Sequence, residues 1–92
     1  MLTDKPWSSP VYIGIPDHDW VAVSTTARAA QLLVYHWPRK DCSRRESALE
    51  ACLAVLTAGQ PPELSRLTFM RAAKEAGLLV NDARFRNSLL VN

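Results

Sequence analysis

The chain has 92 residues, 48% of them apolar and 22% charged, with a formal net charge of +2. This balance fits a single soluble globular domain over residues 1–92 and excludes a disordered or membrane-spanning chain. The charge is too small to name a partner, so local clustering counts for more than the total.

Residues 1–10 carry Pro6, Pro10, Ser8 and Ser9 and read as an extended lead-in from which only Trp7 docks. A β-hairpin is expected over residues 11–24, with strands at 11–15 and 21–24 and the turn residues Pro16, Asp17, His18 and Asp19 between them. Pairing Ile15 with Val21 and Ile13 with Val23 puts Val11, Ile13, Ile15, Val21 and Val23 on one face. A slip of one residue would split them between faces. A two-stranded hairpin is marginal alone, so that face must cover helices.

The first helix is expected over residues 25–37, capped by Ser24 or Thr25, with Ala30, Leu33, Val34 and Trp37 as its inward stripe. Pro38 ends it, because the residue before a proline is pushed out of the α region. The second helix is expected over residues 43–58. Ser43 and Glu46 stand at capping-box spacing, Leu49, Cys52, Leu53 and Leu56 form a core stripe flanked by Ala48 and Val55, and Gly59 is the stop. The third, over 62–76, has Pro62 and Glu63 in its first turn and Gly77 at its end. Phe69, Ala72, Ala73 and Ala76 share one face, widened by Leu64, Leu67 and Met70. The tail, 77–92, holds a candidate third strand at Leu78-Leu79-Val80, and residues 83–92 read as a weak C-terminal helix or a frayed tail. The fold class is therefore α+β, a hairpin packed on about three helices.

Taken together, Pro10-Val11-Tyr12-Ile13, Trp37-Pro38, Ala48, Cys52-Leu53-Ala54, Gly59, Pro62-Glu63, Arg66, Phe69, Ala72-Ala73 and Glu75-Ala76-Gly77 follow a pattern in order and spacing. Over residues 7–80 the chain resembles the domain of unknown function 982 family, a group of small bacterial proteins. Ser65 and Thr68 depart from it, standing where that pattern more often has alanine, which implies slightly looser helix packing. The resemblance implies a small α+β domain and carries no activity and no catalytic residues.

Residue by residue, the chemistry is sparse. His18 lies between Asp17 and Asp19, three adjacent residues that suit a turn better than a metal site. His36, near the end of the first helix, suits the helix dipole. Of the two cysteines, Cys52 falls on a buried stripe, and Cys42, near Arg44 and Arg45, has a setting that lowers a thiol pKa but lacks a base. Both are expected to be reduced thiols. There is no glycine-rich phosphate loop, no CxxC and no HExxH, so no enzyme activity, metal or cofactor is expected. The N-terminus lacks a signal-peptide apolar region and no run nears the roughly 18 residues of a membrane span, which makes the cytoplasm the expected compartment.

Arg39, Lys40, Arg44 and Arg45 are the sharpest cluster. Two of them occupy the first turn of a helix, where the dipole disfavours cations, and the four together make a candidate anion site. The bland alternative is a solvated loop whose charges pair with Asp41, Glu46 and Glu50. The expected function is a non-enzymatic binding or regulatory domain acting through protein–protein contacts, including self-association through hairpin edges or the alanine face of the third helix. The alternative is a phosphate- or nucleic-acid-binding module using Arg39, Lys40, Arg44 and Arg45.

Overall fold

A computed structural model of the chain describes residues 4–15, 20–38 and 43–79. Its elements are β1 (Pro6–Gly14), β2 (Trp20–Thr25), α1 (Thr26–Tyr35), α2 (Ser43–Ala58) and α3 (Pro62–Glu75). The architecture is the α+β one the pattern calls for, an antiparallel hairpin followed by three helices.

The hairpin's inner face is the expected one. Val11, Ile13 and Val23 are fully buried, while Ile15 and Val21 pack at the core's rim. Its register differs by two residues from the expected one: Ile13 pairs with Val21, Val11 with Val23 and Gly14 with Trp20. A shift of two keeps every side chain on its face, so the hydrophobic pattern cannot tell the two registers apart. What favours the observed one is the outer face, where Trp20 joins the strand and meets Tyr12 edge-on at 5.5 Å. Such aromatic cross-strand pairs add roughly 0.5–1.5 kcal/mol.

The second half of the lead-in expected over residues 1–10 is strand, since β1 begins at Pro6 rather than Val11. The pairing shifts between Pro6 and Val11, a bulge in a stretch that includes Pro10, which has no N–H to give the ladder. Trp7 is buried there. Its indole N–H donates to Ser65 Oγ at 3.0 Å and Thr26 Oγ1 at 3.2 Å. The two hydroxyls are 2.9 Å apart, and they also reach the carbonyls of Lys5 and Pro62. Ser65 is thus a buried anchor for the strand, not a source of looseness in α3.

α1 is capped by Thr25, whose hydroxyl accepts from the Arg28 amide at 3.2 Å, and Asp4 Oδ1 takes the Ala27 amide at 2.9 Å. The helix ends at Tyr35 with His36 as C-cap, two residues short of the expected end. Pro38 forces Trp37 out of helical geometry, and the indole packs edge-on against Phe69 at 5.5 Å. The inward stripe is Thr26, Ala29, Leu32 and Leu33. Of the expected stripe, Leu33 and Trp37 are buried and Ala30 packs half-buried against the core, while Val34 is exposed. Thr26 joins the Trp7–Ser65 node.

α2 turns its small residues inward: Ala48, Ala51, Cys52 and Val55 are buried, whereas Leu53 is 55% exposed. α3 buries Ser65, Phe69, Ala72 and Ala73 and leaves Leu64 and Leu67 facing out. Close approach of two helices needs small side chains at the contact, and alanines supply it on both. The alanine face of α3 is therefore core rather than a surface for a partner. Gly59 (φ 74°) and Gly77 (φ 75°) take the left-handed conformation that stops each helix. After α3 the Leu78 amide donates to Ala73 O at 2.8 Å and the Gly77 amide to Lys74 O at 3.1 Å, a Schellman pair. Leu78 is buried and Leu79 forms a single antiparallel bridge to Ile13, so a third strand amounts to one residue within the described part. The candidate C-terminal helix lies outside the described residues.

Cys52 is fully buried, and burial pushes its thiol up to about 12. Below about pH 9 folded and unfolded states are both protonated and the thiol is neutral to stability. Between about 9 and 12 only the unfolded state ionises, so stability falls as pH rises, by about 1.4 kcal/mol per unit. In urea unfolding at about pH 8 and about pH 10, Cys52→Ala is expected to lose about 1.4 kcal/mol less than the unaltered chain over that interval. Equal losses would show that the thiol is not the titrating group.

Candidate functional site

The Gly59–Pro61 turn folds α3 back along α2, so the end of α3 meets the start of α2. Pro62 at the first turn of α3 gives up no hydrogen bond, and the turn is closed by the Gln60 amide on Ala54 O at 3.3 Å. At the far end of this helical hairpin Glu75 Oε1 accepts the backbone N–H of Arg44 at 3.1 Å. The expected Ser43–Glu46 capping box is replaced by this contact: Ser43 is already helical, and a carboxylate from another helix takes the orphan amide of Arg44.

Around that contact lies an open cleft of about 530 Å³, lined by Arg44, Arg71, Lys74 and Glu75. Arg71, Lys74 and Glu75 fall at i, i+3 and i+4 on α3 and so share a face. All four are exposed. Among the described residues the only ion pair is Arg66–Glu63 at 3.0 Å, so the three cations of the cleft are unpaired there.

The two adjacent arginines of the sequence cluster separate. Arg45 is half-buried and its Nε donates to Leu33 O at 2.8 Å, satisfying a carbonyl in the last turn of α1. Folding therefore accounts for Arg45, while the Arg44 side chain faces the cleft. Neither pairs with Glu46 or Glu50. Arg39, Lys40, Asp41 and Cys42 lie outside the described residues, as does the His18 turn. Arg71 and Lys74 were not singled out by sequence reasoning. Their signal is the tight Gly59-Gln60-Pro61 turn, which brings the end of the third helix beside the start of the second.

A smaller hollow of about 100 Å³ is lined by Ile15, Val21, Arg28, Leu32 and His36. No group of three or more His, Cys, Asp or Glu among the described residues is placed to hold a metal ion. No helix among them is long and apolar enough to cross a membrane.

The arrangement defines a class: a small α+β domain in which a two-stranded hairpin is backed by a three-helix layer, with a cation-lined cleft at one end of the α2–α3 hairpin. The chain belongs to the protein family of unknown function DUF982, whose profile matches residues 9–80. Among solved structures it is similar to the NMR structure of the Agrobacterium tumefaciens protein Atu1219. The two share 27% identity with a TM-score of 0.72, over 85% of this chain and 78% of that one. No curated protein matches the chain.

Proposed function

We propose that this chain is an interaction domain without catalytic activity, which works by strand addition at the outer edge of β2, with a second copy of itself as the partner. The observation that carries this reading is the contrast between the hairpin's two edges. On the β1 side the edge is guarded: β1 contains Pro6 and Pro10 and a bulge, and Gly14 N–H is taken by Leu78 O at 2.8 Å. On the β2 side, Val21-Ala22-Val23-Ser24-Thr25 has no charge and no proline, and in the sheet of the described residues β2 is hydrogen-bonded to β1. An edge without those devices is a template for another strand. Antiparallel pairing of β2 with its own copy across a two-fold axis turns a marginal two-stranded sheet into a four-stranded one. It also extends an outer face that already exposes Trp20, at 56%.

Sedimentation tests this. The unaltered chain is expected to be a dimer at micromolar concentration. Ala22→Lys with Ser24→Lys, both exposed, sets like charges across the two-fold axis and is expected to leave a folded monomer. A monomer from the unaltered chain, or a dimer that survives both lysines, removes the β2 edge as the interface.

A further inference from the structure

We infer that the cleft between the start of α2 and the end of α3 binds a phosphate-bearing small molecule, held by Arg44, Arg71 and Lys74. The inference is independent of the hairpin edge, which lies on another element. Three cations from two helices line one cleft, and among the described residues none of them forms an ion pair. Crowding like charges costs free energy, and for Arg44 the first turn of α2 adds the unfavourable sign of the helix dipole. Lys74 suits the end of α3, but among the described residues the side chains of Arg44 and Arg71 make no hydrogen bond or ion pair. A bound oxyanion would relieve all three charges together.

The site does not rest on the helix end. The Arg44 amide is already occupied by Glu75, so the binding groups are side chains. Two guanidinium forks can each grip phosphate oxygens through paired hydrogen bonds, and the lysine ammonium adds a point charge. At about 530 Å³ the cleft is within the roughly 300–1,000 Å³ usual for small-ligand sites. Size also argues for a small molecule over a nucleic acid. A nucleic-acid module spreads its cations over roughly 600–1,000 Å² of surface, whereas the outer face of the hairpin presents Tyr12, Trp20, Ala22 and Ser24 and no cation. Glu75 has a second part in this. It holds α2 in place and, as an anion at the cleft wall, lowers affinity for any phosphate.

The probe is inorganic pyrophosphate, titrated at low salt into the isotope-labelled full chain and followed by amide chemical shifts. Saturable shifts are expected at Arg44 and across Arg71 to Glu75. Arg71→Gln and Arg44→Gln are each expected to weaken binding about tenfold or more, the loss of one charge-assisted contact. Glu75→Gln keeps an oxygen for the Arg44 amide while removing the negative charge, so it is expected to bind pyrophosphate more tightly. Every substituted side chain is exposed, so the variants keep the fold, and a thermal melt of each checks it. Shifts that never saturate, or affinities that Arg71→Gln and Glu75→Gln leave unchanged, overturn the assignment. A single-stranded oligonucleotide that binds through these residues when pyrophosphate does not would overturn it in favour of a nucleic-acid site.

Discussion

Replacing Trp7 with alanine is expected to lower the unfolding free energy by about 3–5 kcal/mol, a large share of the roughly 5–15 kcal/mol that holds a small domain. Trp7 is buried and its ring meets Phe69 at 5.7 Å. Its N–H joins Thr26 at the start of α1 to Ser65 in α3, so one side chain ties three elements together. Truncation removes the ring contacts and leaves two buried hydroxyls to satisfy each other. Trp7→Phe isolates the polar part: the ring stays, the N–H goes, and the cost is expected to fall to about 1–2 kcal/mol. Urea unfolding followed by far-ultraviolet circular dichroism measures both. If Trp7→Ala unfolds at the midpoint of the unaltered chain, the first residues of β1 are not part of the cooperative core.

That role was only half legible beforehand. A tryptophan in a proline- and serine-rich segment announces that it docks, but not onto what. Its partners, Thr26 and Ser65, are polar residues at positions a hydrophobic stripe skips, so a stripe drawn through α1 by apolar residues alone leans toward Val34, which is exposed. The β-hairpin's face was legible for the opposite reason: alternation has a period of two, and every isoleucine and valine in it agrees. α2 shows the limit most clearly. Of its expected stripe, Cys52 is buried and Leu49 packs against the core, while Leu53 is exposed. The buried face is rotated toward the expected flank, Ala48 and Val55, and takes in Ala51, because Ala72 and Ala73 of α3 are fully buried too and two alanine-lined helices pack closely.

For the candidate site, the sequence shows the cations near residue 40 but not their division of labour. Arg44 and Arg71 are far apart along the chain, and only the return of α3 along α2 makes them neighbours. Glu75 was visible as part of a glycine-terminated helix end. Its use as a cap for a different helix was not, because capping rules read residues within one helix and this contact joins two.

The sharpest consequence concerns Arg44 and Arg45, adjacent residues of one type whose replacement should act in opposite directions. Arg45→Ala is expected to destabilise the fold by about 1.5–3 kcal/mol, the worth of a charged hydrogen bond to a carbonyl that then has no partner. That carbonyl is Leu33 O near the end of α1, a helix with no basic residue in its own last turn. Arg44→Ala keeps the backbone N–H that Glu75 caps and removes a cation from the wrong end of a dipole. It is expected to leave stability unchanged or raise it by about 0.3–1 kcal/mol. Thermal melts of the two single variants side by side decide it, and equal losses would mean that the Leu33 contact is not what holds α1 against α2. The same pair then separates fold from binding. Arg44→Ala should lose pyrophosphate affinity at full stability, whereas Arg45→Ala, measured below its melting range, should keep that affinity because its side chain points to α1 and away from the cleft.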